Sequence, residues 1–256
     1  MTLQNATLSN RKLLENEIAL AAQVVGYIKG KSAIAIARTY LGGRTLSLHA
    51  ITHTPSAAQK PAKLLVALHG WGANAQDLAS LAPYLNLPDY QMLFPDAPFP
   101  HPQAPGGRMW YRLPIGYDFQ NQPDFVSQTD LAESRQLLTT WLQNLEPTVG
   151  IPLSQTILAG FSQGGAMTLD VGLQLPLAGL IVLSGYLHAP VKIESPICPV
   201  LVIHGQHDPV VPLAIAQRTQ KELTLQGVAV RYYELTMGHE VQPEALNLIR
   251  EFCEIL

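Results

Sequence analysis

Residues 156–169 read Thr-Ile-Leu-Ala-Gly-Phe-Ser-Gln-Gly-Gly-Ala-Met-Thr-Leu, two apolar runs joined by a glycine-rich turn. The first run is typical of a buried strand, and the second begins a segment that reads as a helix. Ser162 therefore lies on a tight strand-to-helix turn. Such a turn requires small residues two positions before and after it, here Gly160 and Gly164. The pattern predicts a sheet covered by helices, with the Ser162 hydroxyl exposed above the end of a strand.

Similar apolar runs on both sides of this stretch alternate with longer segments of helical periodicity, which is typical of crossover connections. The runs do not alternate with polar residues, as expected of strands that are covered on both faces. We therefore predict an α/β fold with a mostly parallel central sheet of about seven strands flanked by helices. The predicted strands are Leu46–Ile51, Leu64–Leu68, Met92–Phe94, Thr156–Gly160, Leu180–Leu183, Val200–His204 and Val230–Glu234.

Three of the connecting segments carry signals of helix ends. Asp130, followed three residues later by Glu133, predicts the N-terminal cap of one helix. Residues 212–226 begin with proline and stop before a glycine, as helices often do. Residues 243–256 carry one apolar face that includes Cys253, so we interpret this cysteine as a core residue.

Two regions lack this regular alternation. Pro95–Pro123 is rich in proline and aromatic residues without a helical or strand period, and we predict a packed loop. Residues 1–44 are predicted to be a partly helical N-terminal extension, because Leu13–Tyr27 has helical spacing before the Gly42-Gly43 turn. Two hypotheses stay open for the extension. It is either a partly ordered addition or upstream start, or a helix that covers the proline-rich loop or contacts a membrane surface weakly.

Composition excludes several classes of protein. Of the 256 residues, 47% are hydrophobic and 14% charged, with a net charge of −3. The high apolar content and low net charge exclude overall disorder. There is no block of basic residues, so we do not predict nucleic-acid binding. The longest uncharged run near the N-terminus, Ile18–Ile28, is about half of the ~20 residues of a spanning helix, so no transmembrane segment is predicted. Two isolated cysteines, Cys198 and Cys253, exclude a disulfide framework and predict a cytoplasmic protein.

A serine hydroxyl needs a base to become a nucleophile at neutral pH, and the base needs a third group to orient it. His239 lies in a glycine-containing loop between a predicted strand and the last helix. Asp208 directly follows another predicted strand and stands between Ser162 and His239 in chain order, as in α/β-hydrolases. Asp170 lies within the helix after Ser162, and the other candidate aspartates precede the serine. We therefore select Ser162, Asp208 and His239 as candidate catalytic residues.

Attack by Ser162 would form an oxyanion, which requires two hydrogen-bond donors held in place beforehand. One is the backbone N–H of Gln163, the residue after the serine. The second should come from a loop after an early strand, and Trp71 lies in the sequence His69-Gly70-Trp71-Gly72 at such a place. An ordinary glycine-rich turn is the alternative interpretation of that sequence.

A metal site is the competing interpretation of His204, His207 and Asp208. No further ligand with the spacing of known zinc enzymes accompanies them, and His204 ends a strand where its ring can be buried and bonded. The sequence contains no nucleotide-binding glycine motif. We therefore predict neither a metal nor a cofactor.

Four segments together resemble one protein family. They are His69-Gly70-Trp71-Gly72, Gly160-Phe161-Ser162-Gln163-Gly164-Gly165, His204–Pro212 and Gly238-His239-Glu240-Val241. Their order and sequence are similar to the phospholipase/carboxylesterase branch of the α/β-hydrolases, which contains acyl-protein thioesterases. The resemblance covers about residues 45–256 and implies an α/β-hydrolase catalytic domain there. It also implies Ser162 as nucleophile, His239 as general base and then acid, and Asp208 as the group that orients it, with the Trp71 and Gln163 N–H groups as oxyanion hole.

Members of this family carry an apolar loop after the third strand that lines the acyl site, and residues 98–117 resemble it. The resemblance therefore implies Phe99, Met109 and Trp110 as substrate contacts. Two departures leave the choice of substrate open. These are the N-terminal extension and Ala73, which stands where relatives often have an acidic residue.

The sequence thus predicts a serine hydrolase that cleaves carboxylic esters or thioesters of apolar acyl groups through an acyl-enzyme intermediate. The predicted partner is a small-molecule or lipid-like acyl substrate, and the oligomeric state is left open. Two alternatives remain: a non-catalytic α/β-hydrolase that binds an apolar ligand or partner, and a serine peptidase on the same scaffold.

Overall fold

The computed structural model describes residues 39–41, 44–46, 48–55, 61–113, 117, 119, 125, 128–189, 193 and 198–256. The predicted helical segment Leu13–Tyr27 lies outside the described residues. The strands are β1 (Thr39–Leu41), β2 (Arg44–Leu46), β3 (Ala50–His53), β4 (Lys63–Leu68), β5 (Tyr90–Pro95), β6 (Phe99–Pro100), β7 (Arg108–Met109), β8 (Thr156–Phe161), β9 (Gly179–Leu183), β10 (Val200–Gly205) and β11 (Val230–Leu235). The α-helices are α1 (Ala75–Ala79), α2 (Ala82–Leu85), α3 (Thr129–Gln143), α4 (Glu146–Val149), α5 (Gln163–Gly172), α6 (Leu213–Leu225) and α7 (Pro243–Glu254).

Seven of the strands form one sheet in the order β11-β10-β9-β8-β4-β5-β3. Every neighbouring pair is parallel except β3 and β5, which are antiparallel. The predicted α/β fold with a mostly parallel central sheet of about seven strands is therefore confirmed. The carboxyl ends of the parallel strands lie at one edge of the sheet, where functional loops of α/β proteins meet.

The sheet is buried on both faces, which explains why its strands read as continuous apolar runs. Along β4, Leu64, Val66 and Leu68 contribute to the hydrophobic core on one face, whereas Leu65 contributes to the core on the other. All four side chains are at most 1% exposed. Alternating residues of a strand point to opposite faces, so both sets of positions must be apolar here.

The first predicted strand, Leu46–Ile51, is wrong in its bounds. Residue Leu46 ends β2, which pairs with β1, and β3 begins only at Ala50 and pairs with β5. The apolar run therefore passes between two different sheets, a break that periodicity does not reveal. The β1–β2 pair spans the predicted boundary between residues 44 and 45, and that division of the chain remains a prediction.

The predicted cap of α3 is also wrong. The helix begins at Thr129 after Gln128, so Asp130 lies inside its first turn. The Asp130 carboxylate instead accepts a hydrogen bond from the backbone N–H of Arg112, at 2.8 Å. The other carboxylate oxygen accepts the Leu131 N–H within the first turn, at 3.0 Å, so Asp130 bonds both its own helix and the loop, and a local motif cannot anticipate the second contact. Helices α6 and α7 occur as predicted, and Cys253 is fully buried.

The predicted loop Pro95–Pro123 contains a small antiparallel sheet. Strands β6 and β7 pair Phe99 with Met109 and Pro100 with Arg108. Two-residue strands are too short to produce a period in the sequence, so the pattern gave no sign of them. Beyond β7, aromatic rings pack edge to face, such as Tyr111 on Phe125, in agreement with the expected packing.

Among the described residues, no helix is both long and apolar enough to cross a membrane.

Candidate active site

Ser162 lies on a strained turn between β8 and α5. Its φ of 54° and ψ of −116° belong to a region that L-residues seldom occupy. Its backbone N–H donates to the carbonyl of Leu183 at 2.8 Å, which ties the turn to the neighbouring strand. A Cβ atom at Gly160 would lie 2.2 Å from the Gly164 carbonyl oxygen, and one at Gly164 would lie 2.2 Å from the Leu68 carbonyl oxygen. The two glycines are therefore required because backbone atoms approach too closely for any side chain.

His239 follows β11 and brings its ring to Ser162. Its Nε2 atom is 3.0 Å from the Ser162 Oγ, across 77 residues of sequence. On its other side, its Nδ1 atom is 2.7 Å from Oδ2 of Asp208. The ring also packs against Phe161, with 4.8 Å between the ring centroids. The structure thus brings together the three residues that the sequence selected.

Asp208 is held rigidly in the loop after β10. Its Oδ1 atom accepts hydrogen bonds from the backbone N–H groups of Val210 and Val211, both at 2.8 Å. Burial alone would raise the pKa of this carboxyl, but the hydrogen bonds from His239, Val211 and Val210 outweigh it and lower the pKa. Asp208 is therefore a carboxylate that accepts a hydrogen bond from the Nδ1–H group of His239. This leaves the Nε2 atom of His239 as an acceptor facing Ser162.

His204 supports the loop that carries Asp208 through a buried hydrogen bond. The ring is fully buried, its Nε2–H donates to the Val211 carbonyl at 2.8 Å, and Nε2 is 3.6 Å from the Asp208 carboxylate. Burial lowers the pKa of His204, although the bond to Val211 and the charge of Asp208 act in the opposite direction. The side chain of His207 is exposed. Within the described residues, no group of three or more His, Cys, Asp and Glu side chains is arranged to hold a metal ion.

The His69–Gly72 loop runs directly against the Ser162 turn. A Cβ atom at Gly70 would lie 3.4 Å from Cβ of Ser162 and 3.1 Å from the Phe161 ring. Among the described residues, the backbone N–H groups of Trp71 and Gln163 donate to no protein acceptor. Both groups thus lie in segments beside the serine with their donors unused, and their role as an oxyanion hole remains a prediction.

His69 supports this loop from within the core, a role that the sequence did not indicate. Its Nε2 atom accepts the Ala97 N–H at 3.0 Å, so its Nδ1 carries the proton and donates to the Gly70 carbonyl at 2.8 Å. Burial lowers the pKa of His69, which keeps the ring neutral as both bonds require. The sequence signal available for this role is only the position of a histidine at the end of a buried strand.

The three predicted substrate contacts lie in or beside the small β6–β7 sheet. Trp110 is fully buried, and its indole Nε1–H donates to the His69 carbonyl at 3.0 Å. Met109 is 5% exposed, whereas Phe99 is half-buried. In this structure Trp110 packs beneath the His69–Gly72 loop, and substrate contact by any of the three remains a prediction.

Comparison with known proteins agrees with the geometry. The chain matches the phospholipase/carboxylesterase family over residues 49–256. It is 28% identical over 223 residues to acyl-protein thioesterase 1 of Saccharomyces cerevisiae, covering 77% of this chain and 93% of the yeast protein. The crystal structure of esterase PE8 is similar with a TM-score of 0.74 and 30% identity, covering 82% of this chain and 99% of that one.

The acyl-protein thioesterase 2 structure from Zea mays shares the fold, with a TM-score of 0.66 at 22% identity over 80% of this chain and 97% of that one. The family match extends over all the parallel strands and, within the part of the chain that the structure describes, over the segments that approach Ser162. The chain therefore belongs to the phospholipase/carboxylesterase family of α/β-hydrolases, and it is a hydrolase of the carboxylesterase or thioesterase type.

Proposed function

We propose that the protein cleaves carboxylic esters or thioesters with Ser162 as nucleophile, His239 as general base and Asp208 as the residue that orients His239. One observation carries the proposal. The Ser162 hydroxyl is 3.0 Å from His239 Nε2, and His239 Nδ1 is 2.7 Å from a carboxylate whose pKa is lowered. These are the contacts that a proton transfer from serine to histidine needs.

In the first half of the reaction, the Ser162 Oγ forms a bond to the acyl carbonyl carbon while its proton moves to His239 Nε2. The carbonyl oxygen becomes an oxyanion that accepts hydrogen bonds from the Trp71 and Gln163 N–H groups. Collapse of this intermediate breaks the bond to the alcohol or thiol. The leaving group takes the proton from His239, and the acyl group stays on Ser162.

In the second half, water attacks the acyl carbon and gives its proton to His239. The second tetrahedral intermediate collapses, Ser162 leaves with the proton from His239, and the carboxylic acid is released. The Asp208 carboxylate stabilises the imidazolium that forms in both halves and keeps its own charge. The cycle needs no cofactor.

Apolar acyl groups are the proposed substrates. The side chains of Trp71 and Val210, in the loops beside Gly70 and Asp208, are 41% and 50% exposed. An apolar cavity lies behind the serine turn, where Phe161 and Val241 are among its lining residues. The yeast relative is an acyl-protein thioesterase, which agrees with an acyl substrate. Exposed apolar side chains in loops that meet near a candidate catalytic serine are suited to contact an apolar acyl group.

The test compares Ser162→Ala with Ser154→Ala, in which an exposed serine of the same domain is changed. Loss of the nucleophile should reduce kcat on p-nitrophenyl esters by about 10⁶-fold. It should also abolish labelling by a fluorophosphonate, whereas Ser154→Ala should behave as wild type. A panel of esters and thioesters of increasing acyl length then identifies the preferred substrate. Retention of activity by Ser162→Ala, with a mock purification showing no host esterase, would exclude this mechanism.

We also propose a reducing compartment, consistent with a cytoplasmic location. Cys198 and Cys253 are both free and buried. Free buried thiols are usual in proteins that are kept reduced. Detection of the native protein in a cytosolic fraction, with both thiols reduced, would test the proposal.

A further inference from the structure

The side chain of Gln163 is buried and hydrogen-bonded through both its amide oxygen and its amide nitrogen, although only its backbone N–H has a role in the proposed mechanism. The residue is 1% exposed. Its Oε1 atom accepts the backbone N–H of Trp110 at 2.9 Å, and its Nε2 donates to the backbone carbonyl of Tyr111 at 2.7 Å. The amide thus holds two consecutive residues of the loop through one acceptor and one donor.

Residues 108–111, which we term the strut, are bonded at several points to the His69–Gly72 loop and the residue after it. The Gly72 N–H donates to the Arg108 carbonyl at 2.9 Å, and the Arg108 N–H donates to the Ala73 carbonyl at 2.8 Å. The Trp110 indole N–H donates to the His69 carbonyl at 3.0 Å. These bonds lie on both sides of Trp71, so the strut fixes the backbone of that residue from before and after it.

The strut is also held by steric contact and by helix α3. A Cβ atom at Gly107, the residue before the strut, would lie 2.3 Å from the Gly72 carbonyl oxygen, so the two backbones are in direct contact. The buried hydroxyl of Ser134 on α3 donates to the Trp110 carbonyl. The strut therefore has few ways to shift without breaking bonds to its neighbours.

We propose that the Gln163 amide is a positioning residue that sets the location of the Trp71 N–H relative to the Gln163 N–H. The inference rests on the proposed function, because it assigns both N–H groups to the oxyanion hole. One residue would then supply the first donor through its backbone and position the second through its side chain and the strut. Oxyanion donors act at 2.7–3.1 Å from the forming anion, and a misplacement of about 1 Å costs about 10²-fold in rate.

The chemistry of the strut explains why an amide is suited to this position. Residue Trp110 presents an N–H and Tyr111 presents a carbonyl, so the partner must accept and donate at once. Glutamine does both in one planar group, whereas an ionised carboxylate only accepts and methionine does neither well. Gln163→Met keeps the length and approximate volume of the side chain and removes both bonds.

The experiment compares Gln163→Met with Gln128→Met. The Gln128 amide donates to the carbonyl of Arg112, immediately beyond the strut, at 2.9 Å, so it controls for loss of a loop bond elsewhere. Exhaustive fluorophosphonate titration gives the number of competent active sites, and kcat is expressed per site. Affinity for a trifluoromethyl ketone, which forms a tetrahedral adduct with serine, reports on the oxyanion hole separately from substrate KM.

For Gln163→Met we expect kcat per site to fall by at least about tenfold, approaching the 10²–10³-fold of a lost oxyanion donor, with KM little changed. The affinity for the ketone should fall in parallel with kcat/KM. Gln128→Met should retain kcat within about twofold, as expected of a change outside the site. A purely structural role would lower the melting temperature or the number of sites without changing kcat per site, and this result would overturn the inference.

If Gln163→Met does not fold, Ser134→Ala tests the same strut from its other side. It should lower kcat per site and ketone affinity in the same proportion, and unchanged values would overturn the inference. Ser162→Ala, measured in parallel, separates the two proposals. An inactive Ser162→Ala together with a fully active Gln163→Met refutes the positioning role alone, whereas an active Ser162→Ala refutes the proposed function itself.

Discussion

Replacement of Gly164 by alanine should damage both stability and activity, because backbone atoms occupy the space of a side chain. A Cβ atom there would lie 2.2 Å from the Leu68 carbonyl oxygen and 2.6 Å from that of His69. To reach an ordinary contact of 3.4 Å, the Leu68 carbonyl would have to move by about 1.2 Å. Leu68 is paired with Gly160 in the sheet. Movement that removes the overlap between the new Cβ atom and the Leu68 carbonyl would therefore separate α5 from β4 and displace the Ser162 turn from the His69–Gly72 loop.

Overpacking of this kind costs about 1–3 kcal/mol. For a domain of this size that corresponds to a melting temperature lower by about 2–12 °C. Because the displacement separates the two proposed oxyanion donors by about 1 Å, kcat/KM should fall by about 10²-fold. The measurements are thermal unfolding followed by circular dichroism and hydrolysis of p-nitrophenyl butyrate by the folded variant.

The matched control is Gly238→Ala, which lies beside His239. A Cβ atom at Gly238 would meet its nearest neighbours, in His207 and Pro209, at 3.9 Å. The same chemical change should therefore alter stability by no more than about 1 kcal/mol and leave kcat/KM near wild type. A Gly164→Ala protein with the melting temperature and kcat/KM of the control would refute the steric reasoning.

Three further predictions follow from the site and its supports. Asp208→Asn should lower kcat by about 10⁴-fold. Because folding lowers the pKa of Asp208, the free energy of unfolding of the wild type should fall as the pH drops below about 4. Urea unfolding of Asp208→Asn at several pH values should show a smaller loss of stability over the same range. His204→Leu leaves the buried Val211 carbonyl unpaired and should cost about 1–3 kcal/mol, whereas His207→Leu, at an exposed position, should change the urea midpoint little. Burial raises the pKa of the Cys198 and Cys253 thiols to about 11 and about 12, so neither should react with Ellman's reagent at pH 8 until the protein is unfolded; rapid reaction of the native protein would contradict their burial.

The sequence was sufficient to predict the fold class and the residues that meet at the candidate site. Continuous apolar runs occur where strands are buried on both faces, and the two glycines around Ser162 stand where backbone atoms nearly touch. Chain order, together with a position directly after a predicted strand, then favoured Asp208 as the acidic partner, and the structure brings it to 2.7 Å from His239. The catalytic roles of these residues remain proposals that the variants above test.

Other features depend on contacts that are distant in sequence and could not be predicted. The apolar run at residues 46–51 crosses from one sheet to another, and Asp130 bonds to Arg112 instead of capping its own helix. The bonds of His69 and of the Gln163 side chain also join segments far apart in the chain, to Ala97 and Trp110. Local patterns indicate where a polar side chain lies along an element, but not which distant backbone group it will meet.

The spacing of the three residues along the chain also affects when activity can arise during synthesis. His239 lies 77 residues after Ser162, and Asp208 lies 31 residues before His239. At translation rates of about 5–20 residues per second, Ser162 is synthesised roughly 4–15 s before His239, its proposed base. If the proposed mechanism holds, the nascent chain carries an unactivated hydroxyl throughout that interval and cannot hydrolyse acyl groups nearby. Appearance of hydrolysis in a translation reaction would therefore mark completion of the last two strands of the sheet.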